Sequence, residues 1–99
     1  MANLDQLTEQ LRVAVAHGGI SRTVKFDLKG DGVIHLDSRT VTNEDKAADC
    51  TIVLSKSDLE SLVDGKVDGT SLFMAGKMRI DGDMSVAMML QPVLSGARS

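Results

Sequence analysis

Apolar residues recur at helical spacing in the first part of the chain. One face of this segment carries Leu4, Leu7, Leu11 and Val15, while charged residues fall on the other faces. Asn3 is a candidate N-cap, and Gly18 and Gly19 would end the helix after His17. The pattern predicts an amphipathic helix that covers an apolar surface.

The pattern then changes to strict alternation, which is typical of half-buried strands. Strands are predicted at 23–29, 33–37 and 40–42, with a turn at 30–32 and a tight turn near Ser38 and Arg39. Val24, Phe26 and Leu28 share one side of the first strand. On the second strand His35 is placed on the exposed face, opposite Ile34. Such short connections predict an antiparallel meander.

The second half of the chain alternates strands with helices. A strand at 50–55 is followed by Ser57-Asp58-Leu59-Glu60, which fits a capping box for a helix that Gly65 ends. A short helix follows, capped by Thr70 or Ser71 and ended by Gly76. A fifth strand is predicted at 77–81, and a last helix that Asp83 caps. Residues 1–99 therefore form one α+β domain, a five-stranded, mainly antiparallel sheet covered on one face by helices.

Composition excludes several classes of function. The net charge is −3, and two Phe with no Tyr or Trp leave few rings for stacking bases, so no nucleic-acid partner is expected. No apolar run approaches the ~20 residues that span a bilayer, so no stable membrane insertion is expected. There is no signal segment, and the single cysteine, Cys50, cannot form an internal disulfide. A cytoplasmic location is expected.

No catalytic, metal or cofactor site is predicted. His17 and His35 lie far apart without companions at ligand spacing. Cys50 shares the apolar side of its strand with Ile52 and Leu54, which favours a buried thiol over a nucleophile. A small acyl hydrolase that uses Cys50 is retained as a minor hypothesis.

Methionines cluster near the C-terminus, at Met74, Met78, Met84, Met88 and Met89. They suit either a core with irregular gaps or an adaptable apolar cavity. The last helix is apolar almost all round, which indicates deep burial or an interface. Gln91 lies in its apolar stripe and needs a hydrogen-bond partner if it is buried.

Several motifs, taken in order, resemble the sterol carrier protein 2 family of non-specific lipid-transfer proteins. They are Ala48-Asp49-Cys50-Thr51-Ile52, Ser57-Asp58-Leu59, Gly65-Lys66, Phe73, Gly76-Lys77-Met78-Arg79-Ile80, Gly82-Asp83-Met84 and Ala87-Met88. The resemblance implies an apolar tunnel between sheet and helices, with no catalytic residues. It implies a lipid or fatty acyl ligand: a fatty acid, acyl-CoA, sterol or phospholipid. By matching position the candidate lining residues are Ile52, Leu62, Phe73, Met74, Met84, Met88 and Gln91.

Two hypotheses on function follow. The first is an intracellular carrier that shields an apolar ligand from water. The second is a ligand-free interaction module, or a homodimer, that docks through Met89 and Val93 on the last helix.

Overall fold

The computed structural model describes residues 3–17 and 22–95. Four helices are present in this part of the chain: α1 (Leu4–His17), α2 (Lys56–Val63), α3 (Gly69–Met74) and α4 (Met84–Ser95). The strands are β1 (Val24–Asp27), β2 (Val33–Asp37), β3 (Thr40–Thr42), β4 (Cys50–Val53) and β5 (Arg79–Gly82). The order of elements matches the prediction, with boundaries displaced by one or two residues. Gly18 and Gly19, which were expected to end α1, lie outside the described residues.

The five strands form one mixed sheet in the order β3-β2-β1-β4-β5. Three of the four pairings are antiparallel, and β1 with β4 is parallel. The parallel pair arises because the chain leaves β3 at one edge and returns through residues 43–49 to add β4 beside β1. The predicted α+β class and mainly antiparallel sheet are confirmed.

Strand register gathers the apolar side chains on one face of the sheet. Phe26 pairs with Ile34 on one side and with Ile52 on the other. Directly paired residues point to the same face, so these side chains are neighbours. The apolar face of α1, including Leu7 and Leu11, belongs to the same buried cluster. The core therefore lies between this sheet face and the helices.

The prediction that His35 is exposed is wrong. Its side chain is 3% exposed, although it points away from the helices. The returning segment covers it: His35 Nε2 donates to the Ala47 carbonyl oxygen over 3.1 Å, since a carbonyl can only accept. Lys25 Nζ lies 2.8 Å from Asp45 Oδ1 and ties the same segment to β1. Strand parity alone could not show that a loop crosses this face.

Two predicted helix caps are also wrong. Ser55 caps α2 in place of Ser57, since its side-chain oxygen accepts from the Asp58 amide at 3.1 Å. β4 ends at Val53, so the chain turns into the helix two residues earlier than the capping-box pattern indicated.

Asp68, and not Thr70 or Ser71, caps α3. One correct prediction is Asp83 at the start of α4, where its carboxylate accepts from the Ser85 amide at 2.9 Å. Asn3 likewise accepts from the Gln6 amide at the start of α1.

Across 3–17 and 22–95, no helix is long and apolar enough to cross a membrane.

Candidate functional site

A cavity of about 550 Å³ lies between the sheet and helices α2, α3 and α4. This volume falls within the ~300–1,000 Å³ typical of small-molecule sites. The lining residues are Phe26, Ile52, Leu62, Asp68, Gly69, Thr70, Phe73, Met78, Ile80, Met84, Ala87, Met88 and Leu90. Every lining side chain except those of Asp68 and Thr70 is apolar, Gly69 having none. The cavity is therefore suited to an apolar ligand.

The floor of the cavity is built by three neighbouring strands. Phe26 on β1 pairs with Ile52 on β4, and Ile52 pairs with Ile80 on β5. The side chains of Phe26 and Ile52 are buried, and so are those of Leu62 on α2 and Leu90 on α4. The floor is thus continuous with the hydrophobic core.

The rim of the cavity is apolar but exposed to solvent. Phe73, Met84 and Met88 have 44%, 47% and 75% of their surface accessible. Because these side chains line the cavity and also contact solvent, the cavity is open on this side. Unbranched thioether side chains adapt to irregular shapes, which suits a rim that must fit against a ligand.

The polar part of the lining lies at Asp68, Gly69 and Thr70, where α3 begins. Asp68 Oδ1 accepts from the Ser71 amide at 2.7 Å. Hydrogen bonds from the backbone and side chain of Ser71 hold the pKa of this carboxyl below its usual value. Asp68 is therefore an anion at neutral pH.

The predicted lining residues fall into three groups. Ile52, Leu62, Phe73, Met84 and Met88 line the cavity. Met74, the last residue of α3, is not in the lining and is 80% exposed. The Gln91 side chain lies outside the described residues.

Sequence reasoning did not select eight residues that also line the cavity: Phe26, Asp68, Gly69, Thr70, Met78, Ile80, Ala87 and Leu90. A signal for two of them was present. Phe26 was placed on the apolar side of the first strand, and Met78 belongs to the methionine cluster that suits an apolar cavity. The alternation of apolar residues shows which face of a strand is buried, but it does not show which strands are neighbours in the sheet.

A glycine fixes the approach of α4 to the sheet. Gly82 has φ +112°, and a Cβ at this position would lie 2.4 Å from the Asp49 carbonyl oxygen. The next residue, Asp83, donates its amide to the same oxygen at 3.3 Å. The start of α4, which carries Met84 into the rim, is therefore set by close backbone contact.

The environment of Cys50 does not support nucleophilic catalysis. Its side chain is fully buried and is not part of the cavity lining. Burial, followed by the nearby carboxylates of Asp83 and Asp81, raises the pKa of the thiol. A reactive cysteine needs the opposite, an accessible thiol with a lowered pKa. Within the described ranges, no group of three or more His, Cys, Asp or Glu side chains could hold a metal ion.

The fold and the cavity define a small α+β binding domain with an apolar site. Its sequence matches the profile of the SCP-2 sterol transfer family over residues 2–95, and the chain belongs to this family. This confirms the family predicted from the motifs.

Two curated relatives illustrate the similarity. Sterol carrier protein 2 of Oryctolagus cuniculus is 43% identical over 75 residues, which are 75% of this chain and 13% of the rabbit protein. A fatty acid-binding protein of Yarrowia lipolytica is 30% identical over 74 residues, which are 75% of this chain and 55% of the yeast protein. This chain thus corresponds to only part of the length of these relatives.

A solved structure shares the fold. The solution structure of sterol carrier protein 2 from Aedes aegypti, in complex with the C16 fatty acid palmitate, superposes with a TM-score of 0.79. The match covers 93% of this chain and 94% of the mosquito chain, at 16% identity. At this identity the likeness shows the fold alone.

Proposed function

We propose that this domain is a carrier that binds one lipid or fatty acyl ligand in the cavity between the sheet and helices α2–α4. The observation that carries the proposal is the combination of a buried apolar floor with an exposed apolar rim. A closed core has no need of a rim such as Met88, which remains largely in solvent. An acyl chain placed against this rim would remove it from water.

The driving force would be hydrophobic. Each methylene group that leaves water contributes ~0.8 kcal/mol, so a chain of several methylenes gives useful affinity without specific polar contacts. The rim side chains of Phe73 and Met84 would be covered in the same event. Both partners would lose exposed apolar surface.

The ligand class is supported by the relatives. One relative is named a fatty acid-binding protein, and the mosquito structure contains palmitate. We therefore place fatty acids and fatty acyl groups, including acyl-CoA, first, with sterols and phospholipids as further candidates. With Phe26 and Phe73 as its two aromatic residues, the chain offers little rigid surface for a sterol ring system.

We further propose that the domain acts without catalysis, in a reducing compartment such as the cytoplasm. The buried Cys50 thiol supports a function without catalysis, because its raised pKa and its position outside the cavity leave it unsuited to attack an acyl ligand. The presence of a single cysteine supports a reducing compartment.

A matched pair of variants tests the carrier proposal. Met88 and Met89 are adjacent on α4 and both exposed, but only Met88 lines the cavity. Delipidated wild type should bind palmitate at one-to-one stoichiometry in native mass spectrometry. Met88→Glu should weaken this binding by about tenfold, since it loses apolar contact and adds a charge at the rim. Met89→Glu should bind like the wild type.

The exposure of Met89 supports one alternative, an interaction surface for a partner or a second copy of the chain. In that case Met89→Glu would abolish self-association in sedimentation velocity, and no lipid would bind. A wild type that takes up none of palmitate, acyl-CoA, a sterol and a phospholipid would contradict the carrier proposal.

A further inference from the structure

The end of α3 exposes apolar side chains next to the open side of the cavity. Phe73 lines the cavity, whereas Met74, the next residue, is 80% exposed and lies outside the lining. Met74 therefore serves neither the core nor the cavity. Among the exposed large apolar side chains that the structure describes, all but Val13 lie on α3 or α4: Phe73, Met74, Met84, Met88 and Met89. This concentration on one side of the domain indicates a contact surface.

A lysine is fixed beside these side chains by the way in which α3 ends. Gly76 has φ +73°, and its amide donates to the Phe73 carbonyl oxygen at 3.1 Å. The Lys77 amide donates to the Leu72 carbonyl oxygen at 2.9 Å. These two bonds form a Schellman motif, which holds the backbone of Lys77 against the last turn of the helix. We call Phe73, Met74 and Lys77 the α3 tip.

We infer that the α3 tip docks on the surface of an anionic lipid bilayer, so that the open side of the cavity meets a source of apolar ligand. Docking of this kind is peripheral, because apolar side chains enter only the boundary between head groups and acyl chains. The docking surface goes beyond the proposed carrier function, whereas its use in loading a ligand rests on that function.

The charge of this segment favours an anionic surface. Residues 69–80 contain Lys77 and Arg79 and no acidic residue, although the net charge of the chain is −3. Arg79 Nε lies 3.2 Å from Asp81 Oδ1, but Lys77 is exposed and takes part in none of the ion pairs among the described residues. An anionic surface would therefore attract the α3 tip and repel the more acidic faces of the domain, which orients the contact.

The charged residues before α3 weaken this attraction without cancelling it. Asp64, Lys66 and Asp68 precede the helix, so one of the two carboxylates is offset by a lysine. Asp68 caps the first turn of α3, and the six helical residues extend about 9 Å from there to Met74. That distance is close to the screening length of about 10 Å in 0.1 M salt. The carboxylate of Asp68 is therefore partly screened from the α3 tip.

The size of the α3 tip favours a bilayer over a protein partner. A stable protein interface buries about 800 Å² on each partner. Side chains as large as those of Phe73 and Met74 offer about 150–250 Å² each when fully exposed. The two together are too small for a stable protein interface. They are sufficient for weak, reversible binding to a bilayer, which a carrier needs in order to leave the membrane again.

Partition onto vesicles measures the docking. Delipidated protein is sedimented with sucrose-loaded vesicles of phosphatidylcholine, or of phosphatidylcholine and phosphatidylserine in equal parts. At low salt, wild type should partition about fivefold more strongly onto the anionic vesicles, and high salt should reduce this difference. Lys77→Gln should lower partition onto the anionic vesicles about fivefold, the usual contribution of one basic residue near such a surface. Met74→Gln should lower partition onto both kinds about tenfold, roughly the loss of two methylenes from apolar contact.

Two matched controls lie near the opposite edge of the sheet, which β3 forms, whereas β5 forms the edge next to Lys77. Arg39 is an exposed cation in the turn between β2 and β3. Val13 is an exposed apolar residue on α1. Its neighbour Arg12 donates from Nη2 to the Val41 carbonyl oxygen of β3 at 3.2 Å. Arg39→Gln and Val13→Thr should leave partition onto both kinds of vesicle unchanged.

The outcomes separate the inference from the proposed function. Equal partition of wild type and Lys77→Gln, or weaker partition of Arg39→Gln or Val13→Thr, would overturn the assigned surface. Palmitate binding without partition onto either kind of vesicle would overturn the inference and leave the carrier function standing. Partition that depends on Met74 and Lys77, without palmitate binding, would overturn the carrier function and leave the docking surface standing.

A protein contact at the α3 tip is a further outcome. Self-association of wild type that Met74→Gln abolishes in sedimentation velocity, together with no vesicle binding by wild type, would assign the α3 tip to a second copy of the chain. That result would overturn the inference. Met74→Gln should bind palmitate like the wild type, because Met74 lies outside the cavity lining.

Discussion

Ile52 and Ile80 lie directly opposite each other in the antiparallel β4–β5 pair, and both side chains line the cavity. Phe26 extends this row onto β1. The floor of the site is therefore the same sheet face that forms the core, left uncovered where α3 and α4 separate from it. A substitution that fills this gap should remove the site without removing the fold.

Filling the cavity from α4 should block binding. Ala87 is half-buried and lines the cavity, so Ala87→Trp would direct a ring of about 200 Å² into the space without deleting a core contact. We expect palmitate affinity to fall by tenfold or more, roughly the effect of displacing two methylenes from apolar contact. The thermal midpoint should stay the same or rise.

The Ala87→Trp variant carries its own reporter, since the chain has no other tryptophan. A blue-shifted emission would show that the indole is buried. The matched control is Ala16→Trp on the exposed side of α1, which should bind palmitate normally. Normal binding by Ala87→Trp with a buried indole would place the ligand elsewhere.

Helix capping gives a direct test of the start of α2. Ser55→Ala removes the acceptor for the Asp58 amide and should lower the free energy of unfolding by about 1 kcal/mol. Ser57→Ala, at an exposed position inside the helix, should change it by less than about 0.5 kcal/mol. Urea unfolding of both variants measures the difference. Equal effects would mean that the cap is assigned to the wrong serine.

Two glycines separate backbone strain from steric exclusion. Gly76 has φ +73° with nothing within 4 Å of an added Cβ, so Gly76→Ala should cost about 1–2 kcal/mol of strain. Gly82→Ala adds a clash with the Asp49 carbonyl and should cost more, about 3 kcal/mol or above. Lipid affinity should fall only for Gly82→Ala, because it displaces the start of α4. Equal free energies of unfolding in urea for the two variants would contradict the close backbone contact between Gly82 and Asp49.

The pH dependence of stability should include a contribution from Asp49. Hydrogen bonds from the Thr23 amide and hydroxyl lower the pKa of its carboxyl below the ordinary 3.8. A carboxyl whose pKa is lower in the folded than in the unfolded protein stabilises the fold at pH values above its unfolded-state pKa. This contribution to stability is lost as the pH falls through its folded-state pKa. The thermal midpoint of the wild type should therefore decline below about pH 4.

Asp49→Asn should show a shallower decline in acid than the wild type, because it no longer titrates there. The comparison variant is Asp37→Asn, which removes an exposed carboxyl at the end of β2. Parallel pH profiles for wild type and Asp49→Asn would show that the Thr23 contacts do not contribute.

The fold could be predicted where the information is local. Alternation in β1 places Val24 and Phe26 in the core, and this parity depends on neighbouring residues alone. The burial of His35 depends on the segment that returns from β3, and the alternation of residues within β2 gives no information about that segment. The start of α2 depends on where β4 ends, and both Ser55 and Ser57 have the chemistry of a cap.

The site could be predicted only in part, for a related reason. Leu59 and Leu62 on α2 are both buried leucines, yet only Leu62 lines the cavity. A core position and a lining position have the same sequence pattern, because both are buried and apolar. Asp68 was not selected because its distance from the cavity depends on how α3 packs.

Methyl NMR of the methionines tests the central claim most directly. The chain has six methionines, and three of them, Met78, Met84 and Met88, line the cavity, whereas Met74 and Met89 do not. In a titration of delipidated protein carrying ¹³C-methyl methionine with palmitate, the three lining signals should shift and saturate together at one equivalent. The signals of Met74 and Met89 should move little. Shifts confined to Met74 and Met89, or no saturable shift at all, would contradict the assignment of this cavity as a lipid site.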